Sequence, residues 1–136
     1  FPKIKPIREW LMLNFSYGQS QDVDQVMGAF FCIRKEVLDQ IGLLDDGFFV
    51  WYEEVDFCKR ARNAGWRIRY FSEVVAKHKK GSSFERVATI SKQKMLRRSI
   101  RRYMRKHHGS GWAMVFTIGE PLFLLMSILS SIIKPI

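Results

Sequence analysis

Apolar and polar positions change period several times along this chain, and each change predicts an element. Residues 25–33, QVMGAFFCI, form a continuous apolar run rich in aromatic and branched side chains, the pattern of a buried strand. Gly28 inside it signals close approach of another backbone or of a ligand. RKEVLDQIG follows with helical spacing, Val37, Leu38 and Ile41 on its inner face and Gly42 as its stop. A turn built on Asp45-Asp46-Gly47 leads into the apolar residues 48–51. Residues 53–64 predict a second helix stopped by Gly65, with acids in its first turn and bases in its last, as the helix dipole favours. Residues 66–71 alternate as a strand, and 73–78 predict another short one. A helix over 84–107 carries Leu96, Ile100, Tyr103 and Met104 on one side. Residues 112–133 are apolar except for Glu120, and Gly119-Glu120-Pro121 is expected to split them into shorter helices. Strands interleaved with helices imply a mixed α/β layer.

Composition narrows the classes. The chain has 136 residues, 47% hydrophobic and 14% aromatic, enough for a real core and unlike a disordered segment. Its formal charge is +10, which favours an anionic partner. The excess gathers in Lys92, Lys94, Arg97, Arg98, Arg101, Arg102, Arg105 and Lys106, a run without an acid. No helix-turn-helix, zinc or RNP signature accompanies it, so nucleic acid is not the expected partner. A basic amphipathic helix ahead of an apolar segment points instead to a membrane surface. The alternative is that these helices pack on another domain or subunit. If residues 112–133 span, the basic side preceding them is cytoplasmic. Cys32 and Cys58 lie in apolar surroundings without metal-site spacing and are expected to be reduced core residues.

Candidate chemistry concentrates in residues 48–56, FFVWYEEVD. Helical spacing puts Glu53 and Asp56 on one side, while Glu54 shares a face with Phe57, Cys58 and Ala61. One of the three carboxylates therefore points toward apolar surroundings, where burial would suit it to proton transfer. The plainer alternative is that all three acids cap the helix. His78 ends a predicted strand before Gly81-Ser82-Ser83, a place for a metal ligand or for a structural histidine. His107 and His108 follow the basic helix and are expected to be solvated.

Over residues 23–84 these pieces fall in one order. A Gly28-Ala29 strand comes first, then the helix after Arg34. Phe48-Phe49 follows, ahead of E-E-x-D-x-C-x-R, and then A-G-W and a strand ending at His78 before Gly81-x-Ser83. The order resembles the C-terminal, acceptor-side half of a family 2, rhamnosyltransferase-like glycosyltransferase of the GT-A fold. The resemblance implies an α/β architecture in three parts. Residues 1–22 would be an extended lead-in from an N-terminal nucleotide-binding half, 23–84 the acceptor-side catalytic half, and 85–136 a basic amphipathic helix with an apolar membrane-associating tail. It implies inverting transfer of a sugar from a nucleotide-sugar donor to a glycan or lipid-linked acceptor in cell-surface polysaccharide synthesis, at the cytoplasmic face of the cell membrane. By the same resemblance Glu54 is the catalytic base, although the family more often has Asp there. Glu53, Trp51 and Gly28 belong to the acceptor site, Asp56 is structural or acceptor-facing, and His78 helps hold a divalent Mg²⁺ or Mn²⁺ ion. The family's D-x-D metal motif lies further upstream than Asp22-Val23-Asp24, so this chain is expected to be a fragment, inactive alone. A rival of another class is a non-catalytic membrane-binding or scaffolding module derived from such an enzyme.

Overall fold

A computed structural model describes residues 15–77 and 89–133 of the chain, with side chains described for 15–77 and 91–121. The chain forms two compact units, one from residues up to Ile41 together with Cys58–His78, the other from Gly42–Phe57 together with Lys79–Ile136.

In the first unit, β1 (Gln21–Val23) and β2 (Ile68–Tyr70) pair antiparallel, with Asp22 opposite Arg69 and Val23 opposite Ile68. Phe15, Tyr17 and Tyr70 cluster edge to face beside this ladder, and the Tyr70 hydroxyl donates to the Tyr17 carbonyl. Helix α1 (Lys35–Ile41) buries Val37 and ends where Gly42 takes φ +78°. The Arg60 guanidinium covers its last carbonyl, Ile41 O, at 2.6 Å. Helix α2 (Glu53–Asn63), whose residues from Cys58 on belong to this unit and whose start belongs to the second, buries Phe57, Cys58 and Ala61, the face that the spacing predicts. It closes with Trp66 N–H on Ala61 O and Gly65 N–H on Arg62 O, the paired bonds of a Schellman motif, with Gly65 at φ +88°.

The second unit is dominated by a helical hairpin. Helix α3 (Thr89–His108) turns at Gly109, φ +88°, into α4 (Ser110–Ile133). Arg97 and Arg101 reach back across the turn to opposite oxygens of Glu120, at 3.0 and 2.6 Å, so the helices run antiparallel. Ahead of α2, Asp45 makes the predicted turn: its carboxylate accepts from Gly47 N–H and its carbonyl from Phe48 N–H.

Several expectations do not hold. Residues 25–33 form turns and irregular chain, with Met27, Phe30 and Cys32 exposed. An apolar run becomes a strand only beside an edge that takes its backbone groups, and the only ladder among the described residues is β1 with β2. Residues 74–77 are likewise irregular, with Val74 and Val75 exposed. Helix α4 is not split, for it passes through Pro121 unbroken. The prolyl ring removes one backbone bond, to the carbonyl of Thr117, and the clamp of Arg97 and Arg101 on Glu120 holds the turn beside it. Among the described residues no helix is long and apolar enough to cross a membrane.

Candidate functional site

The acids at the start of α2 follow an unusual backbone. Trp51 and Tyr52 both take positive φ, 59° and 75°, a region that bulky side chains rarely enter. Tyr52 O then accepts the first helical bond, from Asp56 N–H at 2.8 Å. The two left-handed residues turn the chain sharply and set Glu53 and Glu54 in the first turn of the helix. Such strain persists only where the surroundings hold it, and it recurs at functional sites.

Helix α3 does the holding here. Ser99 Oγ donates to Val50 O at 2.7 Å, and the Tyr103 ring lies against Tyr52 with centroids 5.3 Å apart. Arg102 and Lys106 bond the two oxygens of Asp45 at 2.8 and 2.6 Å and lie over the ring of buried Phe48. The Arg102 guanidinium also presses against Gly47, in space that any β-carbon there would occupy. His107 Nε2 and Lys106 Nζ meet Asp56 Oδ1 at 2.7 and 2.8 Å. Ser99, Arg102, Tyr103, Lys106 and His107 are spaced as one stripe of a helix, so a single face of α3 grips residues 45–56.

The three acids meet different fates. Asp56 has no exposed surface, and its Oδ1 meets both Lys106 and His107. The Oε2 atoms of Glu53 and Glu54 are out of reach of solvent, and that of Glu53 has no hydrogen-bond partner among the described residues. Sequence spacing had only Glu54 facing inward; the structure buries Asp56 most deeply of the three. Burial, then the charge of Glu54, pushes the Tyr52 phenol up from its ordinary value. Lys106, then Arg102 and Gly47 N–H, hold the Asp45 carboxyl well below the usual carboxylate range against the opposing effect of burial.

Of the residues singled out in the sequence, Trp51, Glu53, Glu54 and Asp56 come together in the second unit. Gly28 belongs to the first unit, in an exposed turn. His78 lies outside the described residues. Among those that are described, no group of three His, Cys, Asp or Glu side chains could hold a metal ion. His107 is a correction: its side chain is 9% exposed and bonded to Asp56, not solvated. The part that Asp45, Ser99 and Tyr103 play at the elbow had no place in the sequence reading; for Ser99 and Tyr103 the signal was the stripe on α3, visible only as spacing without a partner. The first unit has an open cleft of about 530 Å³ beside β1, β2 and Trp66, but its Asp22 and Asp24 are already paired with Arg69, Arg67 and Arg62.

The pattern of the family described as Glycosyltransferase like family 2 matches residues 8–115. The chain belongs to that family. A relative, the low-salt glycan biosynthesis hexosyltransferase Agl10 of Haloferax volcanii, is 41% identical over 56 residues. That match covers 41% of this family 2 chain and 18% of the relative, so the chain spans well under two thirds of the relative's length. No solved structure matches the chain.

Proposed function

We propose that this chain supplies the acceptor side of an inverting GT-A glycosyltransferase. The parent protein would move a sugar from a nucleotide-sugar donor to a glycan or lipid-linked acceptor at the cytoplasmic face of the membrane. The observation that carries the reading is the elbow itself: two strained residues and one face of α3 fix Glu53 and Glu54 at a helix N-terminus. There the positive end of the helix dipole favours a charged carboxylate.

In this reaction Glu54 accepts the proton of the acceptor hydroxyl. The hydroxyl oxygen forms its bond to the anomeric carbon on the face opposite the nucleotide diphosphate, whose bond to that carbon breaks, and the configuration inverts. Trp51 and Glu53 stand beside Glu54 as acceptor contacts. Asp56, wholly buried and bonded through Oδ1 to Lys106 and His107, serves to hold the elbow. Family 2 enzymes generally use a divalent metal, and His78 is the residue of this chain proposed to meet Mg²⁺ or Mn²⁺. The hexosyltransferase activity named for the relative supports a hexose as the first donor to try.

The test is the anomeric configuration of the product, read by NMR after the full-length protein acts on a nucleotide-hexose and a polyprenyl-phosphate or glycan acceptor. Inversion is the expected outcome. Retention of configuration would rule out single displacement with Glu54 as base. Absence of transfer across donors, with vesicle binding intact, would favour the non-catalytic membrane module instead.

A further inference from the structure

Apart from Lys92, the Lys and Arg residues of α3 divide into two sets. Arg97, Arg101, Arg102 and Lys106 are committed to Glu120, Asp45 and Asp56. Lys94, Arg98 and Arg105 are exposed, have no ion pair among the described residues, and share one face of the helix by their spacing. Like charges four residues apart oppose helix formation, and Lys94–Arg98 and Arg101–Arg105 are such pairs. Glu120 offsets the charge of Arg101, whereas Lys94, Arg98 and Arg105 have no such relief among the described residues. On α4 the large apolar side chains Trp112, Val115 and Ile118 are each at least 60% exposed.

We propose that this hairpin docks on an anionic lipid bilayer, and that docking firms the elbow that presents Glu54. Trp112, Val115 and Ile118 enter the boundary between headgroups and acyl chains. Packed helices lie about 8–10 Å apart, close to the thickness of one headgroup layer, so Lys94, Arg98 and Arg105 meet lipid phosphates. Those phosphates supply the counter-charge that the outer stripe lacks and steady α3. Because the opposite stripe of α3 holds Val50, Tyr52, Asp45 and Asp56, a steadier helix means a steadier elbow. The value of this for catalysis rests on the proposed transfer reaction; the docking and the firming do not.

The experiment uses the full-length protein with vesicles of neutral phosphatidylcholine, alone or with about 30 mol % phosphatidylglycerol. Sedimentation reads binding, and amide hydrogen exchange reads residues 48–56. Binding is expected only to the anionic vesicles, with exchange in 48–56 slowed severalfold. Changing Lys94, Arg98 and Arg105 together to Glu should weaken binding at least about a hundredfold. The milder pair Arg98→Gln and Arg105→Gln should weaken it about tenfold or more, and guards against misfolding of the triple variant. Ser99→Ala with His107→Ala should still bind but lose the slowing. Equal binding to neutral vesicles, tighter binding to duplex DNA than to anionic vesicles, or docking without any change in 48–56 would each overturn the proposal. A protein that docks and firms yet transfers no sugar would count against the reaction alone.

Discussion

Carboxylates pair with cations in both units, with opposite consequences. In the first unit, Asp22 meets Arg69 and Arg67, and Asp24 meets Arg62, with side chains 44–82% exposed. Water screens such pairs, and each contributes roughly 0–1 kcal/mol. In the second unit, Asp56 is wholly buried and the Asp45 side chain is 16% exposed, and Arg102, Lys106 and His107, which reach them, lie on α3. Buried charges of this kind stabilise little relative to apolar replacements, but losing one partner leaves the other stranded. Surface pairs therefore decorate the β1–β2 ladder and its flanks, while buried ones fix the position of the acids at the start of α2. The same residue chemistry trims an edge in one place and determines a site in the other.

That contrast is easiest to break at its buried end. Asp56→Ala strands His107, while Lys106 keeps Asp45, and should cost about 3–5 kcal/mol, measured by urea unfolding followed through Trp fluorescence. His107→Ala should cost less, about 1.5–3 kcal/mol, because Lys106 still reaches Asp56. Combined with Asp56→Ala it should add almost nothing, the non-additivity expected of direct partners. Acid sharpens the picture at Asp45. Its carboxyl titrates lower in the folded chain than its ordinary value of 3.8, so the unfolded chain binds the extra proton as pH falls. The stability from Asp45 should be complete above that value and disappear as the pH drops below it toward the folded one. Urea midpoints between pH 5 and about 2 should fall less steeply for Asp45→Asn than for the parent. Smallest of all, Asp22→Asn in the first unit should change stability by less than about 1 kcal/mol. A cost there as large as that of Asp56→Ala would erase the distinction.

Local signals in the sequence were reliable. Gly42 and Gly65 stop α1 and α2 because each takes a positive φ there, and Asp45-Asp46-Gly47 turns as its residue types require. The buried face of α2 followed from the spacing of Phe57, Cys58 and Ala61. What failed depended on distant partners. Residues 25–33 have the composition of a strand, but a strand also needs an edge to pair with. Pro121 reads as a break, yet Arg97 and Arg101 hold the helix beside it from across the hairpin. The site shows the same divide. Glu53, Glu54 and Asp56 were legible as a cluster, whereas His107 reads as a tail residue until α3 folds back on Asp56, 51 positions away in sequence. Positive φ at Trp51 and Tyr52 had no signal at all, since neither residue type favours it.

The most direct measurement compares transfer and folding for two neighbouring acids in the full-length protein, Glu54→Gln and Asp56→Asn. If Glu54 is the base and Asp56 the anchor, Glu54→Gln should melt close to the parent yet lose transfer by about 10²–10⁴-fold. Asp56→Asn should melt well below the parent while keeping measurable transfer at low temperature. Transfer by Glu54→Gln at a rate comparable to the parent would contradict the account and move the base elsewhere.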